Sequence, residues 1–148
     1  MKILGRAQKI VQKYGTNDPK TILNMMNVIV VPCQLYGLRG IYKRIERNNF
    51  VFIDDSLDGL EETFVLGHEL AHHVLHRGIN RMFLEQCTYL KISPYENDAD
   101  LFSVCLMAPY PTDIITCDST IESVSKQIGV NHQLSQMYLF EVAKLYES

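Results

Sequence analysis

Apolar positions in the first part of the chain recur with helical spacing. Ile3, Leu4, Ile10 and Val11 alternate with Lys2, Arg6, Lys9 and Lys13, so one side is apolar and the other cationic, and the pattern predicts a helix over residues 2 to 14. Asn17 or Asp18 can cap a second helix, which has Pro19 at its first position and runs to about Asn27. The spacing then shortens. Val28 to Pro32 reads as a strand, Leu38 to Arg44 as a second and Phe50 to Ile53 as a third, the last following a turn at Asn48 and Asn49. Helical spacing returns from about Leu57 to His76. There Leu60, Phe64, Leu66, Gly67, Leu70, Ala71, Val74 and Leu75 cover most of the circumference, which marks a helix running through the core, with Gly78 placed to cap its end. Residues 79 to 93 read as an irregular connection. Ser93 and Pro94 then open a helix over Tyr95 to Met107 that Pro109 and Pro111 stop. Two shorter helices, about 119 to 128 and 132 to 147, flank Gly129. Helices, a small three-stranded sheet and more helices make the chain α+β and mainly helical. Residues 1–148 are expected to form one domain, with the helices of about 119–147 packed on the rest.

Composition narrows the function classes. At 148 residues the chain is long enough to bury a core without disulfide staples, and with 21% charged and 47% apolar residues it has the balance of a folded domain. A formal net charge of -3 argues against a protein that holds nucleic acid by neutralising phosphates. The longest aliphatic run, Val28 to Val31, is far short of the roughly 20 residues that span a bilayer. The amphipathic start lacks the unbroken apolar centre of an export signal. Cys33, Cys87, Cys105 and Cys117 form no close pairs, so they read as reduced, mostly interior thiols of a cytoplasmic protein.

The chemistry is concentrated in the central helix. His68, Glu69, Leu70, Ala71 and His72 form an H-E-x-x-H pattern, and residues four apart lie one turn apart on one face. Two imidazoles can thus grip one ion. Zinc takes neutral imidazole nitrogens, and a catalytic zinc site has three protein ligands with a fourth position open to water. Glu69, next to the first ligand, would take the proton of that water as it attacks a carbonyl carbon. In so apolar a helix, unpaired His and Glu would be costly to bury, and a metal resolves that cost.

A third ligand must come from elsewhere. Glu96 and Asp100 are again one turn apart on the next predicted helix. Glu96 would complete a two-His, one-Glu zinc site, and Asp100 would accept the free ring N–H of His68 or His72 and fix its tautomer. Asp98 points to a different side of that helix, and Glu61 and Glu62 precede the histidines on their own helix, so Glu96 is preferred. His73 is rotated about 100° from His72 and faces away from the metal. His76 continues the ligand face by one turn and could line the cleft or cap the helix end as a partial cation, of which the capping role is preferred. Tyr95 and Tyr110 are conceivable oxyanion donors, and the sequence does not choose between them.

These residues carry a resemblance to the ImmA/IrrE metallopeptidases of bacteria and their mobile elements. It covers most of the chain. It runs from Lys13-Tyr14-Gly15-Thr16 and Asp18-Pro19, through Val28 to Val31, Gly40-Ile41-Tyr42 and Val51-Phe52-Ile53, to the nine residues His68 to His76. A second signature follows as Glu96-Asn97-Asp98-Ala99-Asp100-Leu101-Phe102 and Leu106 to Pro109. The resemblance implies a minimal zincin-like fold and puts the third metal ligand on Glu96. It also implies a protein substrate, a helix-turn-helix repressor cleaved to release genes of a mobile element or a stress response. Asp100 departs from the asparagine found in many relatives, and the chain is too short for the sensor-like domain of the larger ones.

Two other functions compete with an endopeptidase. One is a zinc-stabilised anti-repressor that binds the repressor without cutting it. The other is a DNA reader built on the helix–Gly129–helix tail, which only Lys126 and Lys144 would anchor. That charge is too small to hold a duplex, and the tail reads as structural.

Overall fold

The computed structural model describes residues 2–76, 94–110 and 120–145. Among these residues the order is α1 (Ile3–Tyr14), α2 (Pro19–Met25), β1 (Ile29–Cys33), β2 (Gly40–Ile45), β3 (Asn48–Asp54), α3 (Gly59–Leu75), α4 (Pro94–Met107), α5 (Ile121–Ile128) and α6 (His132–Lys144). The fold is mainly helical with a small mixed sheet, the α+β class read from the pattern. The expected cap at Gly78 and the irregular connection over 79 to 93 lie outside the described residues, as do Cys87 and Cys117.

Local chemistry accounts for most boundaries. Asp18 caps α2, its carboxylate accepting from the backbone N–H of Thr21 at 3.2 Å, with Pro19 in the first turn. Thr120 and Ser123 form a reciprocal capping box at the start of α5, and Asn131 caps α6 by accepting from Leu134 N–H at 2.9 Å. The hairpin between β2 and β3 corrects the expected turn. It turns at Glu46 and Arg47, with Glu46 at φ 56, while Asn48 and Asn49 lie inside β3. Pairing decides this. Ile41 opposite Phe52 and Tyr42 opposite Val51 set a register that leaves residues 46 and 47 at the tip, and a slip would turn the buried Val51 and Ile53 to the wrong face.

The sheet order is β1-β3-β2, with β1 parallel and β2 antiparallel to β3. α3 packs against β2, β3 and α2, and it also packs on α4. Its Val65, Leu66, Leu70 and Ala71 join Ala99, Phe102, Val104 and Leu106 of α4 in one buried core. Fully burying a side chain such as Phe102 contributes about 1.5–3 kcal/mol relative to leaving it exposed. At the α3–α4 crossing a Cβ on Gly67 would come within 2.3 Å of Ser103 Oγ, and that hydroxyl donates to the Phe64 carbonyl at 2.6 Å. Only a glycine permits so close an approach.

α1 lies against α4 and ties both site helices at their ends. Arg6 donates to the Val74 carbonyl of α3 at 3.1 Å, and Gln8 donates to the Pro109 carbonyl just beyond α4 at 3.0 Å. Asn17 donates to the Leu106 carbonyl at 3.2 Å. On another side of α4, the buried Tyr138 of α6 donates its hydroxyl to the Ala108 carbonyl at 2.7 Å. The tail is therefore packed structure. Its lysines are engaged locally, Lys126 with Glu122 at 3.5 Å and Lys144 with Glu141 at 3.0 Å.

Candidate metal centre

Helical geometry brings three side chains to one point. His68 and His72 lie one turn apart on α3 with their Nε2 atoms 3.1 Å apart. Glu96, in the first turn of α4, places Oε2 2.9 Å from His68 Nε2 and Oε1 3.1 Å from His72 Nε2. This is the group among the described residues whose donor atoms could share one metal ion. Ligand atoms around a tetrahedral zinc at 2.0–2.1 Å lie roughly 3.3 Å apart. The contacts of 2.9–3.1 Å, which Glu96 makes through two different oxygens, are slightly tighter, and a small outward movement of three side-chain ends would admit the ion. Its chemistry of two imidazoles and one carboxylate suits zinc, though other divalent transition metals accept such donors.

The outer ring atoms strengthen the fit. His68 Nδ1 lies 2.7 Å from Asp100 Oδ1. An ionised carboxylate only accepts, so a proton sits on Nδ1, and it is Nε2 that faces the common point and would offer its lone pair to an ion on losing its own proton. His72 Nδ1 lies 3.1 Å from His76 Nδ1. His76 is the C-cap residue of α3, and its backbone N–H bonds to the His72 carbonyl, but its ring folds back onto His72. The expected role as a cationic cap does not hold. Burial and then the neighbouring His72 push the His76 pKa down to about 4, which makes it a neutral ring.

Without metal the cluster is a dense charge network. Burial works against the charged form of His68, but the hydrogen bonds it donates to Asp100 and Glu96, with the fields of Glu69 and Asp100, outweigh it and raise the pKa to about 10. The same contacts with His68 and then His72 hold the Glu96 carboxyl well below the usual carboxylate range.

Glu69 is 6% exposed and lines the same open cleft of about 1030 Å³ as His68, His72, His76, Glu96 and Asp100. β2, from Gly40 to Ile45, also lines that cleft. Gly40 is the point of closest approach, where a Cβ would meet Val65 Cγ1 at 2.9 Å and Glu69 Oε1 at 3.1 Å. His73 is buried on the side turned towards the sheet, its Nδ1 2.7 Å from the Tyr42 hydroxyl. Asp98 is exposed, and Glu61 lies 3.6 Å from Arg39, so neither joins the cluster. Tyr95 stands edge-on to the His76 ring at 5.0 Å, and Tyr110 is 41% exposed. Sequence reasoning missed the approach of Gly40 to Glu69 and the contact between the His72 and His76 rings. A glycine within a strand is the available signal for a close backbone approach; the i, i+4 rule already put His76 on the ligand face, and only the structure shows its ring against that of His72.

Residues 26–114, which include every member of the cluster, match the peptidase family described as IrrE N-terminal-like domain. The chain is also 30% identical over 138 residues to the Uncharacterized immunity region protein 2 of Bacillus phage phi105, covering 91% of this chain and 87% of that one. The chain belongs to the IrrE N-terminal-like peptidase family. A more distant relative is the Metallopeptidase ImmA of Bacillus subtilis, 22% identical over 98 residues that make up 66% of this chain and 58% of that protein. The family resemblance drawn from the His68 to His76 and Glu96 to Pro109 segments is thus correct at the level of the family.

Proposed function

We propose that the chain is a single-domain zinc metallo-endopeptidase of the cytoplasm that cleaves a helix-turn-helix repressor and so derepresses genes of a mobile element or stress response. The observation that carries this reading is the convergence of His68, His72 and Glu96 within 3.1 Å of one another, with Glu69 in the same cleft. Membership of a peptidase family supports it. The name of the phage relative, an immunity region protein, supports a substrate that governs an integrated element. No helix among the described residues is long and apolar enough to cross a membrane.

In this reading His68, His72 and Glu96 hold the ion, which when bound polarises the scissile carbonyl and lowers the pKa of water to about 7. Glu69 takes the proton of the attacking water and returns it to the leaving amine. Burial keeps its carboxylate among fixed neighbours, including the β2 backbone at Gly40, so it is oriented before substrate arrives. Asp100 holds the proton on Nδ1 of His68 and so presents Nε2. β2 and the cleft beside it offer the substrate chain a wall next to the reacting groups.

The test is the intact mass of the repressor encoded beside this gene after incubation with zinc-loaded protein and with its Glu69→Gln variant. Two fragments with the first and an uncut repressor with the second are expected. A repressor left whole by both, yet copurifying with the chain, would replace the peptidase with the non-cutting anti-repressor.

A further inference from the structure

Both imidazoles of the cluster have their outer nitrogen engaged, but by partners of different character. Asp100 stands behind His68 at 2.7 Å, whereas the partner 3.1 Å behind His72 is another imidazole, His76. His76 is 6% exposed, and its ring is fixed from two sides, tilted against His72 at 5.2 Å and edge-on to Tyr95 at 5.0 Å. Tyr95 precedes Glu96 in the first turn of α4. His76 therefore spans the last turn of the helix that carries two candidate ligands and the first turn of the helix that carries the third.

We infer that His76 is a positioning residue of the metal centre, accepting the Nδ1 proton of His72 so that Nε2 of His72 faces the ion. The inference rests on reading His68, His72 and Glu96 as the ligand set. Its chemistry follows from the geometry. A histidine bound to a metal through Nε2 carries its proton on Nδ1, and the atom 3.1 Å beyond His72 Nδ1 is His76 Nδ1. That atom can accept only if His76 is neutral with its own proton on Nε2. His72 is thereby oriented by a neutral acceptor, so the site gains a second fixed imidazole without a second outer carboxylate. Partners of this kind typically govern metal affinity by 10–100-fold.

Two substitutions separate the acceptor from the bulk of the ring. His76→Phe keeps a ring against Tyr95 and removes the acceptor, while His76→Asn supplies a side-chain oxygen near the position of Nδ1. Zinc affinity by chelator competition is expected to fall roughly 10–100-fold in the Phe variant and to recover most of that loss in the Asn variant, with thermal melts of the metal-free proteins checking that each is folded. Nitrogen-15 spectra of the zinc-loaded wild type, which need no variant to fold, are expected to show protons on His72 Nδ1 and His76 Nε2. A folded Phe variant with wild-type affinity, an Asn variant as weak as the Phe one, or a wild-type His76 protonated on Nδ1 would each overturn the inference. His72→Ala serves as the reference. Loss of zinc there, with no loss in His76→Phe, removes only the role of His76, whereas retention of zinc in His72→Ala removes the ligand set itself.

Discussion

At the scale of single residues, the site is governed by where protons sit. In the metal-free chain the folded pKa of His68 lies above its ordinary value of 6.5, at about 10. Protonated His68 therefore stabilises the fold in full below pH 6.5, and that contribution is lost as pH rises towards 10. Glu96 runs the other way. Its folded pKa lies below the ordinary 4.5, so its contribution is present above that value and is lost on acidification. Metal-free protein is expected to be most stable between these limits, with urea midpoints falling on both sides. An ion that takes Nε2 of His68 must displace the shared proton, so zinc is expected to release about one proton per site near pH 7 and to flatten the alkaline limb. Urea midpoints of the metal-free protein that do not change between pH 7 and 10 would contradict the shared-proton picture.

At the scale of elements, two glycines set distances that matter for function. Gly67 lets α3 and α4 approach at Ser103, and these two helices carry all three proposed ligands. Gly67→Ala should push them apart, costing roughly 1–3 kcal/mol of stability and weakening zinc binding together with it, as thermal melts and chelator titration would show. Gly40 acts on a different link. Its missing Cβ leaves room for Val65 and the Glu69 carboxylate, so Gly40→Ala should displace Glu69 while leaving the ligands in place. The expected result is a fall in kcat of roughly a hundredfold, the scale of a misplacement near 1 Å, with zinc affinity unchanged. Equal losses in both quantities would instead mean a general disruption of the sheet. Element types were legible in the sequence because capping residues and helical spacing are local signals: Asp18-Pro19, Thr120 and Asn131 each mark a helix start. The hairpin was read two residues late because Asn48-Asn49 looks like a turn, and only pairing with β2 shows that both residues belong to the strand.

At the scale of the whole molecule, the fold brings two separate sequence signatures to one point. His68, Glu69 and His72 were legible from spacing on one helix, and Glu96 with Asp100 from spacing on another. Their meeting depends on a tertiary crossing that spacing alone does not state. α1 and the segment after it contribute to it from a distance: Arg6 bonds to the Val74 carbonyl near the end of α3, Gln8 to Pro109 just beyond α4, and Asn17, which follows α1, to the Leu106 carbonyl near the end of α4. α6 buttresses the end of α4 through Tyr138, whose hydroxyl bonds to the Ala108 carbonyl, which gives the tail a structural task. The role of His76 stayed hidden because its backbone does end the helix, as the sequence suggests, while its ring turns inward. Whether these elements hold one metal ion is decided by metal analysis of the purified protein beside its Glu69→Gln, His72→Ala and Glu96→Ala variants. Close to one ion per chain in the wild type and Glu69→Gln, and almost none in His72→Ala and Glu96→Ala, is the predicted result. Metal-free wild type after zinc loading, or equal metal in all four proteins, would contradict the account.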